Sequence, residues 1–141
     1  MLTPNTIIQN ILVKYNLNII IDLIARILIA YIFILSGFGK ITDYQGTLQY
    51  MESMGVPGSL LPLTIFVEFG GGLAILLGIQ TRFAAFGLAI FSILTALIFH
   101  SSGGDQIDFL KNIAIAGGFL LLTIHGANKL SLDHFFSTIK K

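Results

Sequence analysis

Glu68 is the only charged residue in the apolar run formed by residues 60–79. A run of this length can cross a bilayer, whose hydrocarbon core of roughly 30 Å requires about 20 residues of helix. An ionisable group at the centre of such a helix costs at least about 2.5 kcal/mol on insertion scales, so we expect a compensating partner. Glu68 could hold helices together in an ion pair, or it could exchange protons with a cofactor or substrate.

Arg26 is the partner that we predict for Glu68. Arg26 lies about eight residues, and Glu68 about eleven, from the ends of their apolar runs on the side of the chain termini, a difference in depth of about 4.5 Å. Because an arginine side chain can cover that difference, we predict a structural ion pair between Arg26 and Glu68. A titrating Glu68 stays open as the alternative, and it requires that the pair be loose or conditional.

A second group of polar residues occurs at the ends of the apolar runs away from the termini: Lys40, His100, Lys111 and Asn112. Such a cluster could bind an anion, a quinone carbonyl or a lipid phosphate, and histidine carries protons near neutral pH. These four residues are therefore our ligand-binding candidates, and Glu68 and His100 are our catalytic candidates. Alternatively, the lysines extend to the membrane surface and pair with Asp105 or Asp108.

Metal and thiol chemistry are disfavoured by the residues present. The chain has no cysteine, which excludes disulfides, thiol redox chemistry and cysteine-ligated iron–sulfur clusters. His100 and His125 would lie about 20 Å apart in depth on helices, too far to share one metal ion or haem. We therefore expect no metal site and no intrinsic cofactor, with a quinone as the cofactor that the polar cluster would suit.

The composition is that of a bilayer protein. Charged residues make up 11% of the 141 residues and hydrophobic ones 55%, against about 25% charged residues in soluble domains. The net charge of +1 and the lack of a basic cluster give no indication of nucleic-acid binding. Four segments have membrane length: residues 19–38, 60–79, 83–99 and 109–128. The sequence therefore predicts an all-α fold, a four-transmembrane-helix bundle in a single domain spanning residues 1–141.

Three shorter amphipathic segments should lie at the membrane surface. Residues 1–18 repeat apolar positions at helical spacing, the first outer loop has the same pattern after Asp43, and Ser131 can cap a helix within residues 129–141. The basic residues set the orientation, because the side with the termini carries more of them: Lys14, Arg82, Lys129, Lys140 and Lys141. Only Lys40 and Lys111 lie on the other side, so both termini are predicted to be cytoplasmic.

Polar and small residues repeat at helical spacing in each long segment and indicate its inward face. The four predicted faces are Asp22, Arg26, Ala30, Phe33, Gly37 and Lys40; Thr64, Glu68, Gly71, Gly72 and Ile75; Ala85, Ala89, Ser92, Ala96 and His100; and Lys111, Ala114, Gly118, Leu121 and His125. Small residues also predict close helix packing, and with it a homo-oligomer, at Gly70, Ala74, Gly78, Gly117 and Gly118.

Several strings in a fixed order resemble the DoxX family of small four-helix membrane proteins. They are SGFGK (36–40), VEFGGGLAILLGIQTR (67–82), His100, KNIAIAGG (111–118) and SLD (131–133). The resemblance implies a bacterial inner-membrane protein related in pattern to the DoxD subunit of a thiosulfate:quinone oxidoreductase. It implies that the family's polar positions fall here on Arg26, Lys40, Glu68, Arg82, His100, Lys111 and Asn112.

Three functions follow as hypotheses. The first is a quinone-associated subunit or accessory protein of a membrane redox system, in which Glu68 relays or balances protons and other subunits of the complex are partners. The second is a small proton-coupled or anion transporter with Glu68 as the titrating group. The third is a non-catalytic scaffold that recruits proteins through its surface helices. The sequence contains no self-contained catalytic motif, so whether the chain is an enzyme stays open.

Overall fold

The computed structural model describes residues 3–101 and 106–139, and these residues are almost entirely helical. The helices are α1 (Pro4–Lys14), α2 (Leu17–Thr42), α3 (Tyr44–Ser53), α4 (Gly58–Leu77), α5 (Thr81–Phe99), α6 (Gln106–His125) and α7 (Leu132–Ile139). Four of them, α2 and α4 to α6, are long and apolar enough to cross a membrane. The predicted all-α bundle with four spans and additional short helices is therefore confirmed.

The long helices begin and end where the backbone or side chains leave the helical pattern. Asn16 and Gln80 have positive φ angles immediately before α2 and α5, and Gly78 has a φ of 69° just after α4. The first span is longer than predicted because its helix continues to Thr42, and the side chain of Asp43 then caps α3 by accepting a hydrogen bond from Gly46 N. Lys40 is therefore part of α2.

α4 is irregular along its length. It starts with a 3₁₀ turn (Gly58–Leu60), continues as α-helix (Leu61–Ile65), widens into a π-helical segment (Phe66–Gly70) and returns to α-helix (Gly71–Leu77). A π-helical segment contains an extra residue in its turn and often occurs at functional sites. Glu68 occupies the middle of this segment, so the helix is irregular where its only charge occurs.

Glycines allow α2 and α4 to pack closely. A Cβ atom on Gly37 would lie 2.7 Å from the backbone nitrogen of Phe69, and one on Gly72 would lie 3.2 Å from the backbone nitrogen of Ile34. A methyl group at Gly37 would therefore push the two helices apart. The core of the bundle continues from this contact to α6, where the rings of Phe33 and Phe119 meet edge to face with centroids 5.2 Å apart.

The predicted inward faces of the first three spans agree with the buried residues. In α2 these are Arg26, Ala30, Phe33 and Gly37, and in α5 they include Ala85, Ala89, Ser92 and Ala96. In α4 the buried positions include Glu68, Gly72 and Ile75. In each of these three helices the small and polar residues lie on one continuous face. Their spacing therefore predicted the buried face correctly.

The predicted inward face of the fourth span is wrong. Ala114, Leu121 and His125 are exposed, whereas Ala116 and Phe119 are buried. The aromatic ring of Phe119 fills the core against Phe33, and this turns the helix away from the stripe of small residues. The large apolar side chain of Phe119 thus determines which face of α6 is buried. The helical spacing of Lys111 and His125 does not determine it.

The predicted glycine packing face needs a similar correction within this protomer. Among the described residues, a Cβ on Gly70 would meet only Phe66 of its own helix, at 3.8 Å. Gly78 is closely packed, as predicted, because a Cβ there would collide with Ser131, but it lies in the turn after α4 and not on a face between two helices. Close packing occurs instead at Gly71, next to Leu88, and at Gly72. Gly118 would approach Ile29, and Gly117 meets no described atom within 4 Å. Packing of these residues between copies of the chain stays a prediction.

Arginine side chains fasten the end of the bundle that lies beside α1 and α7, which we call the terminal end. Arg26 is 1% exposed, and it donates to the backbone carbonyls of Ile75 (3.2 Å) and Leu76 (3.0 Å), and to that of Leu130. Its Nε atom also lies 3.0 Å from Asp22 Oδ2. The last carbonyls of a helix have no partner within the helix, so Arg26 satisfies the end of α4.

Two further side chains complete this fastening. Arg82 donates to the carbonyls of Thr123 and Ile124 and to that of His125, at the end of α6. Asp133 accepts hydrogen bonds from the backbone of Gln80 (2.8 Å) and Thr81 (3.0 Å), and thus caps the start of α5 from α7. Charged side chains therefore tie all four long helices together at the terminal end.

Candidate functional site

A cavity of about 770 Å³ lies in the opposite half of the bundle, which we call the cavity end. All four long helices contribute to its wall, and α3 contributes Thr47, Tyr50 and Met51. Most of the lining is apolar. A smaller set of polar residues also lines the cavity: Ser36, Lys40, Asp43, Thr47, Thr64, Glu68, Thr95, His100, Lys111 and Asn112. Cavities of about 300 to 1,000 Å³ with an apolar wall and few polar groups are typical of small-molecule sites.

An ion pair between Lys40 and Glu68 lies in the wall of this cavity. Lys40 Nζ is 2.7 Å from Glu68 Oε2 and also donates to Ser36 Oγ at 2.8 Å. The side chain of Glu68 is 7% exposed and that of Lys40 is 23% exposed. Among the described residues, Glu68 Oε2 receives no well-aligned hydrogen bond, so the contact with Lys40 is an ion pair by distance only.

The π-helical segment explains how Glu68 reaches Lys40. The extra residue in that turn changes the register of α4, so that residues on either side of it present different faces from those of an uninterrupted α-helix. Glu68 is then buried against α2, and the neighbouring Phe69 backbone rests on Gly37. The contact between Gly37 and Phe69 thus fixes the position of the π-helical segment, which carries Glu68, along the axis of α2.

The structure corrects the predicted pair between Arg26 and Glu68. Arg26 pairs with Asp22 and Glu68 pairs with Lys40. Four hydrogen bonds use the N–H donors of Arg26 at the terminal end, and their acceptors are the carboxylate of Asp22 and the carbonyls of Ile75, Leu76 and Leu130. The spacing of Asp22 and Arg26, four residues apart on one helix, was a signal for this local pair.

The four ligand-binding candidates all line the same cavity, which agrees with their predicted position at the same end of the bundle. Lys111 is also paired with Asp108, with 2.5 Å between Nζ and Oδ1, and the side-chain amide of Asn112 donates to the carbonyl of Asp108 at 3.0 Å. The alternative pairing of a lysine with Asp108 therefore holds for Lys111, whereas Lys40 pairs with Glu68. Asp105 lies outside the described residues. Ligand binding by the four candidates stays a prediction.

Histidines lie at both ends of the bundle. His100 lines the cavity, whereas His125 belongs to the terminal end, where its Nδ1 atom lies 2.8 Å from the carbonyl oxygen of Leu121. The two side chains therefore do not share a site. Among the described residues, no three side chains of histidine, aspartate or glutamate are grouped in a way that could hold a metal ion.

Sequence reasoning missed the part that α3 plays in the site. The ring of Tyr50 stacks on that of Phe99 with centroids 5.7 Å apart, and Met51 is buried beneath it. α3 therefore covers the cavity at the end of α5. Its amphipathic pattern predicted a helix, but the same pattern fits a helix on a membrane surface, so the contact with α5 had no separate signal.

Known proteins are similar to this chain over most of its length. The chain is 54% identical over 118 residues to "Inner membrane protein YqjF" of Escherichia coli (strain K12), which covers 82% of this chain and 91% of the relative. It is 40% identical to "Inner membrane protein YphA" of the same organism, over 79% of this chain and 86% of the relative. It is 27% identical to "Putative oxidoreductase CatD" of Bacillus subtilis (strain 168), over 84% of this chain and 89% of the relative.

No solved structure matches the chain significantly. The sequence profile of the DoxX family matches residues 21–101, which include Arg26, Lys40, Glu68 and His100. Arg26 stabilises the terminal end, whereas Lys40, Glu68 and His100 line the cavity. The match to the family profile, the four long helices and the similarity to the relatives all support the same assignment, and the chain belongs to the DoxX family.

Proposed function

We propose that this protein is a quinone-binding subunit or accessory protein of a membrane redox system. The observation that carries the proposal is the Lys40–Glu68 ion pair in the wall of an apolar cavity of about 770 Å³. The similarity to a relative named "Putative oxidoreductase CatD" supports the redox setting. The cysteine-free chain has no thiol with which to carry electrons, so a partner subunit supplies them.

The cavity suits the chemistry of a quinone head group. A quinone ring is flat and apolar, and its two carbonyl oxygens accept hydrogen bonds. Lys40 can donate to one carbonyl, while Asn112 or His100, which also line the cavity, can donate to the other. Reduction to the quinol takes up two electrons and two protons, and Glu68 beside Lys40 is placed to pass protons to the ring oxygens.

Purification in mild detergent followed by quinone titration tests this proposal. We expect quinone to copurify, and added quinone to raise the melting temperature and to change tyrosine fluorescence, because Tyr50 lines the cavity. Tyr50→Phe should abolish most of the fluorescence change and keep the thermal shift. If no quinone copurifies and the titration changes neither signal, the proposal is wrong.

A matched pair of variants locates the binding. Glu68→Gln keeps the shape of the side chain and removes its charge, so we expect weaker quinone binding and a loss of proton transfer to bound quinone. Thr123→Val is the control, since the Thr123 hydroxyl donates to the carbonyl of Phe119 within α6 and the residue lies outside the cavity. Equal affinities in both variants would place the quinone elsewhere.

The same ion pair favours a second candidate function, a proton-coupled or anion carrier. A buried carboxylate beside an amine can bind and release a proton as a substrate exchanges. Uptake into liposomes under a pH gradient distinguishes the two functions. A carrier shows pH-dependent uptake that Glu68→Gln abolishes, whereas a quinone-binding subunit shows none in either form.

We further propose that the protein lies in a bacterial inner membrane with both termini in the cytoplasm. The names of two relatives support the location, and the basic residues of the terminal end, Lys14, Arg82 and Lys129, support the orientation. Alkaline phosphatase fused after residue 141 should be inactive, and the same enzyme inserted after Gly55, in the turn that follows α3, should be active. The reverse pattern would invert the topology.

A further inference from the structure

The wall of the cavity between α4 and α5 consists of apolar side chains that are also exposed on the surface of the bundle. Leu60 and Leu63 of α4 and Ile90, Leu94 and Ile98 of α5 all line the cavity, and we call these five residues the portal. Leu63 is 58% exposed and Leu94 is 50% exposed. The side chains of the portal therefore touch the interior space and the lipid-facing surface at once.

The two helices diverge toward the portal. At the other end they are in close contact, since a Cβ on Gly71 would lie only 3.1 Å from Leu88. Residues 90, 94 and 98 follow one face of α5 beyond this contact, and all three line the cavity. The opening between α4 and α5 therefore faces the region that lipid chains occupy in a membrane.

The side of the cavity toward the end of the bundle is covered. α3 crosses it, with Tyr50 stacked on Phe99 and with Met51 only 4% exposed. The polar groups Lys40 and His100 line the cavity near this cover, and the portal extends along α5 from Ile98, next to the cover, to Ile90. A bound molecule would thus have its polar part under α3 and its apolar part in the portal.

We propose that the portal holds the apolar tail of the ligand, so that the site takes a quinone with a long isoprenoid chain directly from the bilayer. This inference rests on the proposed quinone binding and adds the ligand's chemical class and its route of access. A water-soluble anion would need neither an exposed apolar opening nor a tail-binding wall. The head group contacts Lys40 and Glu68, and the tail passes between α4 and α5.

Site-specific labelling provides the test, because the chain contains no cysteine of its own. We would prepare Leu63→Cys, Leu94→Cys and, as a control, Leu28→Cys, which is 70% exposed on α2 and is outside the cavity lining. Each folded variant is labelled in detergent with a bulky maleimide. Binding of two quinones is then measured by thermal shift, one with a long isoprenoid tail and one with the same head group and no tail.

A label in the portal should weaken binding of the long-tailed quinone about tenfold or more, the effect of displacing about two buried methylene groups. Binding of the tail-less quinone should change less than about twofold. The label at position 28 should affect neither, and each labelled portal variant is compared with its own unlabelled form, whose thermal unfolding shows that it folds, so that the loss is assigned to the label.

Two results would overturn the portal while leaving the quinone proposal intact. One is unchanged binding of both quinones in the labelled portal variants, and the other is an equal loss of both. A short crosslink between Tyr50→Cys and Phe99→Cys gives a second measurement. Access through the portal predicts that long-tailed quinone binds the crosslinked double variant as tightly as the same variant with both thiols free, and a loss on crosslinking contradicts that route. If the unmodified protein binds neither quinone, the proposed function itself fails and this inference fails with it.

Discussion

Lys40 Nζ lies 2.7 Å from Glu68 Oε2, and this contact joins the last turns of α2 to the π-helical segment of α4. It neutralises the one charge in the middle of α4 and leaves the carboxylate in the wall of a cavity. The ion pair is therefore both a condition for burying Glu68 in an apolar environment and the polar feature around which a ligand would bind.

Removing Lys40 should destabilise the protein more than removing the charge of Glu68. Lys40→Met leaves a carboxylate that is 7% exposed without its counter-ion, and breaking a buried pair in this way costs about 3 kcal/mol or more. Glu68→Gln leaves an ammonium that still bonds to Ser36 and is partly exposed, so it should cost less. Chemical unfolding in detergent measures both. A double variant as unstable as the two losses added together would show that the residues do not interact.

Gly37→Ala should destabilise the bundle, because the new Cβ would lie 2.7 Å from the backbone of Phe69 and would push α4 away from α2. Overpacking of this kind costs about 1 to 3 kcal/mol, and it should also disturb the Lys40–Glu68 contact and ligand binding. Gly39→Ala is the matched control in the same helix, since no described atom lies within 4 Å of its Cβ position. Melting temperatures of the two variants should differ by several degrees, and equal values would contradict the packing.

Arg26→Lys should destabilise the protein even though it keeps the positive charge. Lysine cannot reproduce the set of hydrogen bonds that Arg26 makes to Ile75, Leu76 and Leu130. We expect a loss of about 2 kcal/mol, because buried carbonyls at helix ends become unsatisfied. Under conditions where the variant stays folded, its affinity for a cavity ligand should be normal. A selective loss of ligand binding without loss of stability would instead make Arg26 part of the site.

Asp133 should make the stability of the protein sensitive to acid. Partial burial raises the pKa of Asp133, but hydrogen bonds from Thr81 and Gln80 outweigh it and hold the pKa below the usual 3.8. The unfolded chain therefore binds a proton at a higher pH than the folded protein does, so stability is full above about pH 5 and falls as the pH drops through the folded pKa.

Asp133→Asn removes this titration, and its stability should change less than that of the original protein between pH 5 and about pH 3. Asp133→Ala also removes the cap of α5 and should cost about 1 kcal/mol at neutral pH. Thermal unfolding across this pH range measures both effects. An identical pH dependence in Asp133→Asn would show that other carboxylates cause the acid sensitivity.

The helices and three of their four inward faces could be predicted from the sequence, because small and polar residues mark the buried stripes of α2, α4 and α5. The face of α6 could not, since the volume of Phe119 overrides the pattern of its small residues. The sequence also grouped Lys40, His100, Lys111 and Asn112, because each lies at the end of an apolar run away from the termini. The cover that α3 forms over them depends on a stacking contact between distant residues, Tyr50 and Phe99, which no local pattern encodes.

The partner of Glu68 was predicted wrongly for a physical reason. Counting residues from the ends of apolar runs assumes regular helices, and α4 contains a π-helical turn whose position the sequence does not reveal. The count also ignored the free carbonyls at the end of α4, which attract a guanidinium more strongly than one distant carboxylate does. The i, i+4 pair of Asp22 and Arg26 was the better guide.

The fastening of all four helices at the terminal end has a mechanical consequence for the other end. Because that end is fixed, a tilt of α2 and α4 against α5 and α6 would pivot near Arg26. Lys40 lies fourteen residues farther along α2, about 21 Å at 1.5 Å per residue, so a tilt of about 5° would move it by about 2 Å. A small angular change beside Arg26 would therefore alter the width of the cavity beside Lys40 far more than the spacing of the helices at the terminal end.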